Sequence, residues 1–326
     1  MSKSDERFLM KVVDMYYKEE MSQEKIAKKL DVSRTTISRA LAKAKKEGIV
    51  KIIINFPIEN SIELEKKLEK KYNLKEVIAV KSGDQKASDY FVAMEAARYL
   101  ARVIKSNMTI GVTWGRTMKK IVDAFDSDQI GNHLKVKGVE VVPMVGTTLP
   151  DTSDKIELRS SYASLLSNKL AELTNGISYN MPAPMYVRNL ETKRVLLLEP
   201  QILEVLQKAK NCDIGIFGIG TLSENSSIAK LDMEKKDMVL SMAEQGGVGE
   251  LIGRVFDKNG EAMTSEIDER LIGLTLDEIK EIPKKVGVAF GEEKVEAIYT
   301  AISNDLIDVL ITDSLTAEQL LSRIEE

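Results

Sequence analysis

The 326-residue chain is poor in the residues that build cross-links and metal centres, with one cysteine, one histidine and one tryptophan. Cys212 alone excludes an intramolecular disulfide, and with only His133 beside it few soft metal ligands remain, so no metal or other cofactor is expected. His133 falls in the polar stretch 126–137 and reads as a surface residue, whereas Cys212 reads as a small buried hydrophobe. With one histidine and no Ser-His-Asp or metal set, hydrolytic chemistry has little support. Apolar runs are as short as Ile52-Ile53-Ile54, far below the ~18 residues of a membrane span. The charged start Met1–Arg7 leads into no apolar signal core, which argues against export. A cytoplasmic chain without membrane contact is the expectation. There is no tandem repeat and no low-complexity tract.

What is present is an ordinary globular composition, 43% hydrophobic and 30% charged, in a length that suits about two domains. The net charge of −4 hides an asymmetry. Residues 1–55 carry 13 Lys/Arg against 8 Asp/Glu, a net of +5; the remainder carries 34 against 43, a net of −9. A basic end on an acidic body suggests a polyanion-binding module joined to something else.

The pattern of residues sharpens that suggestion. Phe8, Leu9, Val12, Val13 and Tyr16 stand at helical spacing. Ser22 can cap a second helix that buries Ile26, Ala27 and Leu30, and Ser33 a third that starts at Arg34. Two short helices joined by a tight turn at Asp31-Val32-Ser33 make a helix-turn-helix. At 100° per residue from Arg34, Ile37, Leu41, Ala44 and Ala40 fall at about 300°, 340°, 280° and 240°, one apolar arc. Arg34, Lys45, Ser38, Thr35, Lys46 and Arg39 fall between about 0° and 140°, four cations and two hydroxyls without a carboxylate. Arg suits guanine edges, Ser and Thr suit bases or phosphates, and Lys suits backbone charge. A merely solvated basic helix would not need turn, caps and both arcs to agree. Gly48 ends the helix, and Ile49–Ile54 reads as a strand, a wing or a bridge to the next domain.

Pro57 marks a boundary. Ser61–Tyr72 is a helix whose mixed charges, Glu65 to Lys71, read as a solvated or inter-subunit face. Beyond it, candidate strands at Val77–Val80, Thr109–Thr113, Val139–Val145, Ile214–Ile219, Val286–Phe290 and Asp308–Thr312 alternate with helical stretches. The helices are expected near Tyr90–Ile104, Met118–Phe125, Glu157–Leu173, Ile202–Ala209 and Lys294–Ser303. Such alternation implies an α/β domain with a largely parallel sheet. Ligands in such domains sit beyond the carboxyl ends of strands, where Gly111–Thr117 leads into a helix. The free N–H groups at that helix start, with Gly115, Arg116 and Thr117, suit an anion such as a sugar phosphate. A plain strand-to-helix turn around a core tryptophan would read the same way. Gly215–Gly220 lacks the glycine spacing of a dinucleotide fingerprint.

Tyr16-Tyr17, Met21–Ala27 and Asp31–Arg39 resemble the opening of the SorC family of bacterial sugar-responsive transcriptional regulators. The similarity continues in order through Gly111–Thr117, Asn180–Pro184, Gly218–Thr221, Gly247–Glu250, Gly287–Gly291 with Lys294, and Val309–Asp313 with Ala317, so it spans nearly the whole chain. Asp31 stands where the family pattern often has Gly, and Asp tolerates a left-handed turn better than most residues. The resemblance implies a winged helix-turn-helix over 1–56. It implies over 57–326 a Rossmann-like α/β effector domain similar to sugar-phosphate isomerases and glucosamine-phosphate deaminases. The partners implied are operator DNA, a phosphorylated sugar and further copies of the chain in a homodimer or homotetramer.

Carried over by position, Gln23, Ser33, Arg34, Thr35, Thr36, Ser38, Arg39, Lys45 and Lys46 are the candidate DNA contacts. Gly115, Arg116, Thr117, Thr147, Thr148, Gly220, Thr221, Glu250 and Lys294 are the candidate effector contacts, and Arg254 and Arg270 are either further anion ligands or structural pairs. The family often has Asp at Glu250 and two glycines at Gly146-Thr147 and at Phe290-Gly291, so pocket shape can differ. Some members carry Lys at Val145, and a covalent imine there is unavailable to this chain. The enzymatic alternative is an isomerase or deaminase with a fused nucleic-acid-binding module, since Glu250 and Lys294 could move protons. A nucleic-acid-binding scaffold without a ligand is the third reading.

Overall fold

The computed structural model describes residues 3–46, 49–50, 62–81, 85–127, 130, 134–148 and 162–323. Two compact units divide the chain, Met1–Pro57 and Ile58–Glu326.

The first unit holds α1 (Lys3–Tyr17), α2 (Gln23–Leu30) and α3 (Arg34–Lys46). Leu9, Val12 and Met15 from α1, Ile26 and Ala27 from α2, and Ile37, Ala40, Leu41 and Ala44 from α3 form one core. All four residues of the apolar arc of α3 are therefore buried. Met15 joins the buried face of α1, while Phe8, Val13 and Tyr16 are only partly covered. The Lys25 N–H donates to Ser22 Oγ (3.3 Å) and the Thr36 N–H to Ser33 Oγ (3.1 Å), so both serines cap as their positions suggest. Asp31 closes α2 at φ 52° and ψ 48°. This left-handed residue is the position where a glycine is more usual, and an aspartate meets the requirement at modest strain. The expected stop at Gly48, most of the strand Ile49–Ile54, and Pro57 lie outside the described residues, as do His133 and the first turn of the helix expected from Glu157.

The second unit is built on a seven-stranded parallel sheet: β1 (Glu76–Val80), β2 (Thr109–Val112), β3 (Glu140–Pro143), β4 (Ile177–Ser178), β5 (Ile214–Gly218), β8 (Lys285–Val288) and β9 (Val309–Asp313). Its order is β1-β9-β8-β5-β2-β3-β4. The strands alternate between the faces, as in β1, where Ile78 and Val80 enter the core on one side and Val77 and Ala79 that on the other. Helices cover one face with α5 (Gln85–Val103), α6 (Arg116–Ser127) and α7 (Ala163–Leu173). The other is covered by α4 (Ile62–Tyr72), then past α8 (Leu190–Leu196) by α9 (Pro200–Lys210), and past α10 (Met233–Glu244) and the short α11 (Glu266–Glu269) by α12 (Leu276–Lys280), α13 (Val295–Ser303) and α14 (Ser314–Ser322). The six expected strands all form, each with bounds within two residues or so.

The two-residue β4 and the antiparallel hairpin of β6 (Gly247–Leu251) and β7 (Arg254–Asp257) were not anticipated. Neither Gly247-Val248-Gly249-Glu250 nor Ile177-Ser178 carries enough alternation to announce a strand. From β2 the chain moves outward one way through β3 and β4, and from β5 it moves the other way through β8 and β9. The loops after β2 and β5 thus diverge, opening a crevice at the carboxyl ends of these neighbours. Among the described residues no helix is long and apolar enough to cross a membrane, and no group of three or more His, Cys, Asp or Glu could hold a metal ion.

Replacing Asp31 with Val should lower the stability of the helical unit by about 1–2 kcal/mol, because a β-branched residue resists the left-handed turn. Asp31→Gly should leave it within about 0.5 kcal/mol. Urea unfolding followed by circular dichroism distinguishes the two, and equal loss in both variants would show that the side chain, not the backbone, matters there.

Candidate functional site

The exposed side of α3 carries Arg34, Thr35, Ser38 and Arg39, each open to solvent, with Thr36 and Ser33 at the start of the helix. Lys45 and Lys46 belong to the last turn of α3, but their side chains lie outside the described ones. Ser33 Oγ accepts the Thr36 N–H and stands 2.8 Å from Thr36 Oγ1, so these two hydroxyls are first of all the cap of α3. Gln23 opens α2 and is half-buried. Arg34 Nη1 lies 3.6 Å from Glu24 Oε1 with both side chains exposed, a pairing weak enough to yield to a phosphate or a base.

In the second unit a cavity of about 450 Å³ sits at the carboxyl ends of β2 and β5. Seven of the nine candidate effector residues line it: Gly115, Arg116, Thr117, Gly220, Thr221, Glu250 and Lys294. Gly115 turns the chain from β2 into α6 at φ 108°, a conformation open to glycine, and a Cβ built there would face empty space. The first N–H groups of α6, which have no partner within the helix, are presented at this corner. Arg116 reaches across to donate to the Asn225 carbonyl (3.2 Å). Thr117 packs over the end of β5, where a Cβ on Gly218 would be 3.4 Å from its own.

Glu250 is fixed more tightly. Gly220 and Glu250 exchange backbone hydrogen bonds of 3.0 Å each way, and Glu250 Oε2 accepts the Gly253 N–H at 2.9 Å. Its other oxygen lies over Gly220, 2.2 Å from where a Cβ would be, so only glycine fits beneath it. Burial pushes this carboxyl up to about 7, with the Gly253 N–H and the Lys294 charge pulling the other way. Lys294 ends the short turn Glu292–Lys294 before α13. Burial holds its ammonium below the usual lysine range, Glu293 and Glu250 oppose that, and Arg116 reinforces it. No ion pair holds Lys294 among the described residues.

Several further residues line the cavity. Thr113, inside the loop Gly111–Thr117, is buried after β2, and its hydroxyl has no partner among the described residues. Ser223, Asn225, Ser226 and Ser227 add further polar groups from the loop after β5, and a run so rich in hydroxyls directly after Gly218–Thr221 is the cue that could have found them. Trp114, the chain's one tryptophan, also lines the cavity and packs behind it on Val145 and Met185.

One expectation is corrected, and one alternative left open by the sequence is narrowed. Thr147 and Thr148 do not reach this cavity. They follow β3, on the far side of β2 from β5, where the Thr147 N–H donates to the Ala183 carbonyl (2.9 Å) and the Met185 N–H to the Thr147 carbonyl (2.8 Å), holding that segment against another part of the domain. Of the two readings of Arg254 and Arg270, the structural one stands. Arg254 donates to Asp268 Oδ1 (3.1 Å) and to the carbonyls of Asp268 and Leu274 (2.9 and 3.1 Å). Arg270 donates to Glu234 Oε1 (2.5 Å) and to the Arg188 carbonyl (3.0 Å). Both are buried braces.

Comparison with known proteins agrees with this two-part organisation. A family described as a sugar-binding domain matches residues 56–322, and one described as an HTH domain matches residues 9–60. The chain is 28% identical to the deoxyribonucleoside regulator of Bacillus subtilis over 324 residues, covering 99% of both chains. It is 26% identical to the sorbitol operon regulator of Klebsiella pneumoniae over 327 residues, covering 98% of this chain and 100% of that one. The crystal structure of the full-length Klebsiella regulator superposes with a TM-score of 0.75 at 24% identity, over 98% of this chain and all of that one. A DeoR family transcriptional regulator from Listeria monocytogenes gives a TM-score of 0.69 at 27% identity over 80% and 99% of the two chains.

The raised Glu250 carboxyl has a consequence for stability. Because the folded chain holds this proton more tightly than the unfolded one, the group favours folding below its ordinary value of 4.5 and loses that advantage as pH rises towards 7. Relative to Glu250→Gln, the wild type should therefore lose up to about 1.4 kcal/mol per pH unit across that window. Parallel urea curves for the two proteins at several pH values give the difference, and a flat difference would place the carboxyl in water.

Proposed function

The chain belongs to the SorC family of sugar-binding transcriptional regulators, and from that premise we propose that it controls a carbohydrate-metabolism operon through operator binding modulated by a phosphorylated sugar. The observation that carries the ligand reading is the convergence of the α6 N-terminus, Arg116 and Lys294 on one cavity at the switch of the sheet. A phosphate there receives the free N–H groups of the helix, the partial positive charge of its dipole, and two cations. The buried hydroxyl of Thr113 and the carboxyl of Glu250 meet sugar hydroxyls. These polar groups are already desolvated and fixed, so a ligand that completes their hydrogen bonds gains affinity with little further ordering.

The DNA reading rests on α3. With Ile37, Ala40, Leu41 and Ala44 anchoring its inner side, Arg34, Thr35, Ser38 and Arg39 face outward for base edges and phosphates. Lys45 and Lys46 extend the same side in sequence; Gln23, Ser33 and Thr36 stand at the helix starts, where phosphate contacts are made. One such module contacts few phosphates, so copies of the chain bind together on paired half-sites. Ligand control is then a differential affinity: the sugar phosphate favours one assembly, and that assembly holds the operator differently. The chain is a transcriptional regulator and not an enzyme, which leaves Glu250 and Lys294 as recognition groups.

At a concentration 100 times its dissociation constant, the right sugar phosphate should stabilise the protein by about 2.7 kcal/mol, a rise in Tm of roughly 5–10 °C. Glucose 6-phosphate, fructose 6-phosphate and ribose 5-phosphate form a first panel, with the free sugars as controls and Trp114 fluorescence as a second readout. Equal shifts with phosphorylated and free sugars would remove the phosphate from the reading. Lys294→Ala or Thr117→Ala should abolish the shift while leaving DNA binding intact.

Replacing Arg34 or Arg39 by Ala should weaken binding to a selected duplex by about 1–3 kcal/mol if it reads a base. Gel-shift titration of both variants checks this, and wild-type affinity in both would mean that another face of the unit meets DNA.

A further inference from the structure

The tip of the β6–β7 hairpin is a two-residue turn that its own sequence does little to hold. Leu251 pairs with Arg254, and between them Ile252 and Gly253 take φ 50° and 93°. Such a turn suits Asn-Gly, whereas a β-branched residue resists the left-handed region. Ile252 stands there with its side chain in the core, 3% exposed. The turn nevertheless fixes a cavity group, since the Gly253 N–H donates to Glu250 Oε2 at 2.9 Å. Support comes from a distant part of the chain, where the Tyr186 hydroxyl donates to the Gly253 carbonyl at 3.3 Å. Tyr186 is itself well anchored. The Ile272 N–H donates to the Met185 carbonyl (2.8 Å) and the Val187 N–H to the Arg270 carbonyl (3.1 Å), which ties the backbone on both sides of it. Lys235 Nζ stands 5.3 Å from the Tyr186 ring centroid and is held by Asp232 and Glu234 at 3.2 and 2.7 Å. A Cβ on Gly253 would lie 3.0 Å from the Tyr186 hydroxyl oxygen and 2.3 Å from Met185 Cε, so the turn is seated on this pair.

We propose that Tyr186 is a positioning residue of the ligand cavity. Its hydroxyl keeps the Ile252-Gly253 turn closed, and through that turn it keeps the Glu250 carboxyl placed for the hydroxyls of the bound sugar phosphate. The inference rests on the reading of the cavity as a sugar-phosphate site, and it gives Tyr186 no contact with the ligand, in keeping with its place outside the lining. The two bonds engage the peptide groups on either side of the Gly253 Cα, so one hydroxyl sets the direction of the N–H that Glu250 accepts. A strained residue persists only where its surroundings over-determine it. Without the hydroxyl, Ile252 relaxes the turn and the carboxyl follows. A carboxyl held in place before binding loses little freedom when the ligand arrives, and a loose one loses more. The phosphate end stands on other elements, the α6 N-terminus, Arg116 and Lys294, and does not depend on this turn.

Tyr186→Phe in the full-length protein keeps the ring beside Lys235 and removes only the hydroxyl. By calorimetric titration, inorganic phosphate should bind this variant within about twofold of wild type, while ribose 5-phosphate should bind about 10-fold more weakly. Glu250→Ala should weaken ribose 5-phosphate too, and the double variant should be no worse than Glu250→Ala alone, since no carboxyl is then left to position. Losses that add, equal weakening of phosphate and sugar phosphate, or an unchanged affinity in Tyr186→Phe would each overturn the proposal. Stability against pH reads the same carboxyl without a ligand. Lys294 is the charge that bears on Glu250, while Arg254 on β7 is paired with Asp268. The stability that Glu250 loses relative to Glu250→Gln between pH 4.5 and about 7 should flatten in the Tyr186→Phe background, because the loosened carboxyl meets water. A profile as steep as that of the wild type would overturn the positioning role. Should none of the three sugar phosphates of the panel bind the wild type, the sugar-phosphate reading fails, and the pH profile alone decides for or against Tyr186.

Discussion

A sheet whose strands are buried on both faces leaves its chemistry nowhere to go but its ends. Here the faces are filled: Ile110, Val112, Ile214 and Ile216 pack under α5 and α6, and Val142, Met144, Phe217 and Leu310 pack on the other side. Parallel pairing follows from joining such strands through helices, and it gathers every strand-to-helix loop that follows a carboxyl end at one rim. On that rim the order of the strands reverses between β2 and β5, and the resulting crevice is where a helix N-terminus, two cations and a buried carboxyl meet. Every feature assigned to ligand recognition depends on that reversal.

The electrostatics of the cavity set it apart from the buried ion pairs of the same unit. Buried charges elsewhere in this unit are answered: Arg254 by Asp268, Arg270 by Glu234, Lys285 by Asp308. Among the described residues no ion pair answers Glu250 or Lys294 in that way. Burial pushes each towards its neutral form, and Thr113 adds a buried hydroxyl without a partner among the described residues. Unmet polar groups are costly in a folded chain unless something completes them. The proposed phosphorylated sugar would complete them, and it would shift the equilibrium only as far as it binds one assembly better than another.

Legibility from sequence was uneven for physical reasons. The capped ends of α2 and α3, the apolar arc of α3 and the six expected strands are local patterns, and each forms where its residues place it. The left-handed turn at Asp31 was likewise readable, since a short polar side chain tolerates what most residues do not. The run Ser223–Ser227 carries a cue in its composition alone, because a hydroxyl near a strand end looks the same whether it faces a ligand, a backbone or water. Thr147 and Thr148 misled for the opposite reason: they follow a strand, as a ligand loop should, but β3 lies beyond the reversal.

By itself the sequence determined which segments become helix or strand, which side of α3 is cationic, and that a parallel α/β unit follows a basic helical one. These are consequences of periodicity, capping and charge, which act over a few neighbouring residues. Only the tertiary structure decided that Arg254 and Arg270 are braces, that Gly220 must be small because Glu250 lies across it, and that Gly115, Glu250 and Lys294 share one cavity. Those outcomes turn on the order of strands in the sheet, which brings together residues nearly 180 positions apart, and no local pattern encodes that order.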